Sequence, residues 1–165
     1  MARPIRLVGE PVLHEPARPV AELDAAVLAV VDDLLATMRA TSHSVGVAAP
    51  QIGVGLRIAV VDVTGHPKAR SCHGELVLVN PELVLAEHPA VGREGCMSVP
   101  DLTGDVARAT HVVVRALDRD GVEQIIEADA FEARALQHEL DHLDGTLFLD
   151  RVVAADRLFR RKVYR

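Results

Sequence analysis

Two histidines placed four residues apart around a glutamate restrict this chain more than any other feature. They lie in residues 137–142, whose sequence is Gln-His-Glu-Leu-Asp-His. Side chains at positions i and i+4 lie above one another on an α-helix, so His138 and His142 can bind one metal ion together. Glu139 lies beside them and can accept a proton from water on that ion. The spacing also fits a helix that exposes both histidines to solvent, but the complete motif favours a metal site.

A catalytic site of this kind needs a third protein ligand. Phe148 stands where the arrangement H-E-x-x-H-x-x-G-x-x-H has its third histidine, and no glutamate follows Glu139. The third ligand is therefore predicted upstream. Cys96 is preferred, because a thiolate binds borderline and soft divalent metals strongly. Cys72, in a polar loop, is the alternative ligand, and Cys96 could instead be a small buried hydrophobic residue.

Hydrophobic periodicity predicts an α+β protein in which antiparallel sheets pack around the central H-E-x-x-H helix. That helix is predicted over residues 130–143, ending before Gly145. An N-terminal helix is predicted over 23–39, with Asp24 near its N-cap, and a short C-terminal helix over 154–162. Strands rich in β-branched residues are predicted over 57–63, 76–80, 83–87, 111–117 and 122–128. The last two strands flank a glycine-containing turn, and the proline-rich opening is predicted to lie extended over the domain.

Length and composition fit one globular catalytic domain spanning residues 1–165. The chain is 49% hydrophobic and 25% charged, and a chain of this length can bury a core without disulfides. Two cysteines and the lack of a long apolar run predict a cytoplasmic protein without membrane contact. Aromatic residues make up only 2% and the net charge is -6, which argues against nucleic-acid binding by base stacking.

The C-terminal tail departs from this acidic balance. Residues 157–165 contain no acid and carry the basic residues Arg157, Arg160, Arg161, Lys162 and Arg165. One interpretation is a solvated helix end whose cations complement the helix dipole. The other is a docking tail for an anionic partner such as RNA.

A further segment, residues 46–53, is rich in small side chains and contains Gln51. Small residues let a substrate backbone lie against the chain, and the Gln51 amide can stabilise a developing oxyanion. The same composition also fits a tight packing corner.

Taken together, three segments closely resemble the motifs of bacterial peptide deformylases. Residues 44–51 are similar to the family's G-x-G-x-A-A-x-Q loop, residues 94–98 to E-G-C-x-S and residues 137–142 to Q-H-E-x-D-H. The motifs stand in the family's order, and the resemblance covers nearly the whole chain. It implies a metal-dependent enzyme that removes the N-formyl group from the initiator N-formylmethionine of nascent polypeptides and releases formate.

The resemblance also implies a role for each matching residue. The metal ligands would be Cys96, His138 and His142, with water in the fourth position. Glu139 would act as general base and then as general acid. The resemblance implies one Fe²⁺ per chain, for which Zn²⁺, Ni²⁺ or Co²⁺ can substitute, although the donor set alone would indicate zinc.

Substrate contacts follow from the same resemblance. The Gln51 side-chain amide and the Met97 backbone N–H would hold the oxyanion. Residues expected to contact the substrate methionine or its backbone are Val45, Gly46, Met97, Ala135 and His138. Glu94 and Arg108 would form a supporting ion pair. The implied partners are N-formylmethionyl peptides and, through the basic tail, the ribosome; a monomer is the simplest expectation.

The chain departs from the family pattern at a few positions. Ser44 replaces the usual glycine of the first motif, and Met97 replaces the commoner leucine after the cysteine. Asp101 and Thr103 differ from the glycine and arginine of many relatives. Two other functions remain as alternatives: a general zinc endopeptidase, and a noncatalytic module that binds metal or RNA.

Overall fold

A computed structural model describes residues 1–162 of the chain. Within that range the regular elements are two α-helices and six β-strands, joined by short 3-10 turns. In chain order they are α1 (Ala25–Ala40), β1 (Gly46–Ala48), β2 (Ile58–Val61), β3 (Leu76–Cys96), β4 (Val99–Leu117), β5 (Glu123–Asp129), α2 (Ala130–Leu143) and β6 (Leu158–Arg160). The predicted α+β class is confirmed.

The strands form one antiparallel sheet in the order β1-β2-β3-β4-β5, and β6 pairs with β4 beside this path. β3 and β4 build a long hairpin whose turn consists of Met97 and Ser98. β4 and β5 build the predicted second hairpin. Its turn is closed by the Asp118 amide, which donates to the Val122 carbonyl at 2.9 Å, and by Gly121 at a φ of 79°.

β2 lies between the two helices. Alternate side chains of a strand point to opposite faces, and Val60 packs in the cluster around α1 whereas Val61 packs in the cluster around α2. All four residues of β2 are buried. This central position explains why β2 is an uninterrupted apolar run rather than an alternating one.

α1 begins as predicted. The Asp24 carboxylate caps it by accepting a hydrogen bond from the Val27 amide at 2.9 Å. Its apolar stripe is buried throughout and comprises Val27, Val31, Leu34, Leu35 and Met38. The bounds differ from the predicted 23–39 by one or two residues.

α2 has the predicted bounds and carries the histidine motif. Gln137 ties it to the sheet: its amide accepts from the Ala109 N–H at 3.0 Å and donates to the Ala109 carbonyl at 2.9 Å. The helix ends before Gly145, which has a φ of 76°. A Cβ at Gly145 would lie 2.9 Å from the carbonyl carbon of Glu15, so a larger residue would collide with the N-terminal segment.

Three of the predicted strands were too short. The predicted strands over 76–80 and 83–87 are parts of β3, which is continuous through register shifts between Val79 and Glu82 and between Leu83 and Leu85. β4 likewise begins at Val99, well before the predicted 111–117. Residues 82–91 of β3 are all exposed, and residues 99–110 of β4 mix buried and exposed positions without regular alternation, so neither stretch has the alternation that would mark a strand.

The predicted C-terminal helix over 154–162 is wrong. Only Ala155–Arg157 form a 3-10 turn, and Leu158–Arg160 then pair with Leu102–Gly104 of β4. Backbone pairing with a distant strand outweighs local helix propensity here. The last three residues of the basic tail, including Arg165, lie outside the described residues.

The N-terminal segment is extended over the domain, as predicted. The Arg6 amide donates to the Gln51 carbonyl at 2.7 Å and the Val8 amide to the Ser98 carbonyl at 2.9 Å. Leu13 is fully buried and anchors the segment. Neither helix in the described range has the length and hydropathy that a membrane crossing requires.

Candidate metal centre and active site

Three side chains from two elements converge below the β3–β4 turn. Cys96 is the last residue of β3, and His138 and His142 lie one helical turn apart on α2. Their ligand atoms all lie within 4.8 Å of one another. The Cys96 Sγ is 3.3 Å from the His142 Nε2, and the two imidazole rings are 5.0 Å apart between centroids.

This cluster fits a divalent metal. Zinc-type bond lengths of ~2.3 Å to sulfur and ~2.0 Å to nitrogen, in tetrahedral geometry, separate neighbouring ligand atoms by about 3.5 Å. The measured Sγ–Nε2 separation is close to that value. One thiolate and two imidazoles suit zinc or iron rather than magnesium or calcium. Three protein donors leave a coordination position for water or substrate, which is typical of catalytic rather than structural sites.

The local environment shifts the pKa values of His138 and His142 in opposite directions. Burial, reinforced by the nearby charge of His138, holds the pKa of His142 well below its usual value. Burial alone would also lower the pKa of His138. Hydrogen bonding to Cys96 and to the Glu94 carboxylate outweighs that effect and raises the pKa of His138. Imidazole and thiol groups bind a metal ion in their deprotonated forms, so metal binding at such a centre is coupled to proton release.

Glu94 orients His138 from the side opposite the cluster. Its Oε1 lies 2.8 Å from the His138 Nδ1, which directs the Nε2 atom towards Cys96. Arg108 holds the same carboxylate with two bonds of 2.8 and 3.0 Å, and Arg134 donates to it at 2.8 Å. Although burial opposes ionisation, the hydrogen bonds from His138 and Arg108 hold the pKa of Glu94 far below its usual range. The predicted partners Glu94 and Arg108 are thus brought together in a buried ion pair.

The ion-pair network around Glu94 includes further residues that were not predicted from the sequence. Arg108 also pairs with Asp141, which lies on α2 between the two ligand histidines. Asp141 in turn accepts from Arg151 at 2.6 Å. Asp141 belongs to the histidine motif itself, and its position three residues after His138 was the signal that could have identified it.

Glu139 faces the cluster in a buried position. It is 4% exposed, and its Oε2 has no hydrogen-bond partner among the described residues. Burial is the main cause that raises the pKa of Glu139 to about 7. Gly46 allows this approach, because a Cβ at that position would lie 2.9 Å from the Glu139 Oε1.

Gln51 and Met97 lie on the other side of the cluster. Gln51 is in the 3-10 turn Ala49–Ile52, and the Ala48 amide donates to its Oε1 at 3.0 Å. This bond turns its Nε2 towards the Cys96 Sγ, at 3.4 Å, and the Ser98 Oγ, at 3.2 Å. The Met97 amide has no acceptor among residues 1–162. One N–H donor from the Gln51 side chain therefore lies 3.4 Å from the Cys96 Sγ, and a second belongs to the backbone of the residue that follows Cys96.

A cavity of about 460 Å³ opens above these groups. The residues predicted for substrate contact all line it: Val45, Gly46, Met97, Ala135 and His138. Ser44 is also at its wall, and the Ser44 hydroxyl donates to the Gly46 carbonyl at 3.4 Å. The cavity thus joins an apolar recess to the metal ligands.

The structure distinguishes the two cysteines that were considered as the third metal ligand. Cys72 is exposed and outside the cluster, whereas Cys96 is buried within it. Among the other histidines, His14, His43 and His88 are exposed, whereas His66 and His111 are half-buried. The His66 ring stacks on Phe131 at 3.7 Å beside the cavity.

Sequence reasoning did not anticipate the basic residues at the cavity. Arg93, Arg134, Arg161 and Lys162 all line it. Arg161 and Lys162 arrive there because β6 pairs with β4, and no local pattern indicates that pairing.

Comparisons with known proteins agree with this geometry. A family model described as polypeptide deformylase matches residues 2–158. The peptide deformylase of Halothermothrix orenii is 47% identical over 149 residues, covering 90% of this chain and 92% of that protein.

Solved structures give the same result. A peptide deformylase from Legionella pneumophila has a TM-score of 0.86 at 38% identity and covers 95% of this chain and 89% of its own. A class I type b peptide deformylase from Acinetobacter baumannii with Met-Ala-Ser bound has a TM-score of 0.84 at 34% identity, covering 92% and 99%. The chain therefore belongs to the peptide deformylase family, and it is a hydrolase that removes the formyl group from N-terminal formylmethionine.

Proposed function

We propose that Cys96, His138 and His142 bind the catalytic metal and that Glu139 transfers the protons of deformylation. The observation that carries this proposal is the meeting of three ligand atoms within 4.8 Å beside a buried, unpartnered carboxylate oxygen. We also infer that residues 1–165 act as one catalytic domain, because the strands between Gly46 and Arg160 all join a single sheet.

The metal proposed is Fe²⁺, with Zn²⁺, Ni²⁺ or Co²⁺ as substitutes. The donor set of one thiolate and two imidazoles supports any of these ions, and the family resemblance favours iron. Metal analysis of protein purified without oxygen tests this proposal. Iron at about one equivalent per chain would support it, and zinc in its place under the same conditions would contradict it.

A divalent metal, when bound, polarises the formyl carbonyl and lowers the pKa of water, so that a nucleophile is available near neutral pH. The chain's own residues supply the proton transfer. Glu139 accepts the proton of the attacking water and then delivers it to the departing amine, which is otherwise a poor leaving group. Its burial keeps bulk water from competing for that proton.

Gln51 and Met97 are proposed to stabilise the negative charge that develops on the formyl oxygen. The Gln51 Nε2 is fixed by the bond that its Oε1 accepts from the Ala48 amide. The Met97 amide lies in the β3–β4 turn, next to the Cys96 ligand. Donors held rigidly before the reaction cost no reorganisation when the charge forms, and removing one such donor typically slows an enzyme ~10²- to 10³-fold.

The methionine side chain is proposed to enter the recess lined by Val45, Met97, Ala135 and His138. Gly46 lines the cavity, and its backbone would align the peptide. A relative of known structure carries Met-Ala-Ser, which supports the same type of peptide at this cavity. Glu94 and Arg108 are proposed as positioning residues that hold His138 in its orientation.

Formate release from formyl-Met-Ala-Ser by the iron-loaded protein is the direct test of the proposed site. An unformylated peptide with internal bonds serves as the control for general endopeptidase activity. Rapid formate release without internal cleavage is expected. Internal cleavage without formate release would contradict the proposal and favour an endopeptidase.

A monomeric, cytoplasmic protein is proposed as the working state. The ribosome is proposed as its macromolecular partner. The support is the charge of the C-terminal tail, since a basic segment favours an anionic surface. Charge-mediated docking predicts that co-sedimentation with ribosomes weakens steeply between ~50 and ~200 mM salt. Binding that is absent, or equal at both salt concentrations, would contradict it.

A further inference from the structure

Four basic side chains surround the mouth of the catalytic cavity: Arg93, Arg134, Arg161 and Lys162. Two of them form ion pairs with nearby acids. Arg134 donates to the buried Glu94 carboxylate at 2.8 Å. Arg93 donates to Asp105 at 2.8 Å and lies 4.0 Å from the centroid of the Phe159 ring. The other two, Arg161 and Lys162, belong to the C-terminal segment.

Arg161 is held in place by backbone contacts. β6 pairs with β4 up to Arg160, and the Arg161 amide then donates to the Asp101 carbonyl at 2.8 Å. The guanidinium Nη2 donates to the Cys96 carbonyl at 3.3 Å. Gly95 makes room for this contact, because a Cβ there would lie 2.6 Å from the same nitrogen. A charged group from the tail therefore lies directly beside a metal ligand.

The charge of Arg161 has no counterpart in the described part of the chain. No carboxylate among residues 1–162 forms an ion pair with Arg161 or Lys162, and both residues are exposed. Asp101 contributes only its backbone carbonyl, and Asp105 is paired with Arg93 and Arg157. A guanidinium has five N–H donors in a planar fork suited to a carboxylate. Most of these donors remain available at the cavity mouth.

We propose that Arg161, assisted by Lys162, binds a carboxylate of the substrate peptide downstream of the formylmethionine. The inference rests on the proposed function of the cavity. An extended peptide advances ~3.3 Å per residue, so a group bonded to the Cys96 backbone is within reach of the first residues after methionine. The carboxylate is either an acidic side chain at those positions or the free C-terminus of a short peptide. Arg161 is thus a specificity-determining residue.

Two matched pairs of substrates distinguish a C-terminal carboxylate from an acidic side chain as the group that Arg161 binds. Formyl-Met-Ala-Ser against its C-terminal amide tests the terminal carboxylate. The amides of formyl-Met-Asp-Ser and formyl-Met-Asn-Ser test an acidic side chain. For each pair the ratio of kcat/KM values, carboxylate over neutral, is measured by formate release from the metal-loaded full chain at low salt. The enzymes compared are the wild type, Arg161→Ala, Arg161→Lys and the neighbouring control Arg160→Ala, whose side chain lies outside the cavity.

The wild type is expected to show a ratio above one for at least one pair, about threefold to tenfold higher than Arg161→Ala. Arg160→Ala should keep the wild-type ratio, Arg161→Lys should fall between, and salt should reduce the difference. Equal ratios in all four proteins, for both pairs, would overturn the inference while leaving the proposed function intact. Failure of the wild type to release formate from every peptide, neutral ones included, would instead remove the proposed function and the inference with it.

Discussion

Glu139 is the residue on which the proposed proton transfer depends. Glu139→Gln keeps the size and shape of the side chain but removes the carboxylate that accepts a proton. We expect kcat to fall about 10²- to 10⁴-fold, the usual contribution of a positioned acid–base group. Metal content should be unchanged, because Glu139 is not among the three clustered ligands. Formate release and metal analysis on the same sample check this, and turnover within tenfold of the wild type would refute the assignment.

The contacts of Glu94 lead to a separate prediction about the affinity of the site for metal. Its carboxylate contacts the His138 Nδ1 and is held by Arg108 and Arg134. Partners of this kind orient a metal-binding imidazole, and their loss typically weakens metal binding about 10- to 100-fold. We expect that loss for Glu94→Gln in competition with a chelator.

The control for this experiment is Glu82→Gln, on the same strand. Glu82 is exposed, and within residues 1–162 its one ion pair is with the exposed Arg115. Its replacement should leave metal affinity unchanged. An equal effect of both variants would show that strand-wide destabilisation, rather than the orientation of His138, controls the affinity.

At the scale of elements, local pattern predicted α1, α2 and the β4–β5 hairpin. Their apolar spacing, capping and turn residues are sufficient because these signals lie within or directly beside each element and because each helix buries one face. The predicted metal ligands followed from the same information, since the helix brings His138 and His142 together. Cys96 required a long-range argument, namely that three ligands are needed and that the third was predicted upstream, where Cys96 was preferred over Cys72.

The C-terminal segment shows where local reasoning failed. Residues 154–162 have the composition of a helix, yet Leu158–Arg160 are a strand because three residues of β4 pair with them. The same pairing carries Arg161 to the cavity. The contacts that determine this wall of the site join residues about 60 positions apart, as in the bond of Arg161 to Cys96 with a separation of 65. No window of local sequence contains them.

α2 also carries the core contacts that keep the ligands in place. Leu136 is fully buried and packs with sheet residues such as Val112, Val114 and Ile126. Leu136→Ala is expected to lower the free energy of unfolding by about 2–5 kcal/mol, because it removes a buried side chain and leaves a cavity. Denaturant unfolding measures this change. Val122→Ala, at a site that is 60% exposed, should change it by less than ~0.5 kcal/mol, and similar losses in both variants would contradict the packing described.

At the scale of the whole molecule, the ligand-bearing elements are joined by contacts that do not involve a metal. The buried Glu94–Arg108–Asp141 network links β3, β4 and α2 independently of any ion. Removing the metal should therefore abolish formate release, but the circular dichroism spectrum should remain that of a folded protein. The thermal midpoint should fall only by the amount that ligand binding to the native state contributes. Unfolding of the metal-free protein would indicate a structural site instead.

The central claim is that Cys96, from the end of β3, completes the metal centre on α2. The direct measurement is formate release from formyl-Met-Ala-Ser by iron-loaded Cys96→Ala, compared with Cys72→Ala and the wild type. Cys72 is the matched control, because it is exposed and outside the cluster. We predict near-complete loss of release and of bound metal in Cys96→Ala alone. Wild-type release and metal content in a folded Cys96→Ala protein would contradict the account.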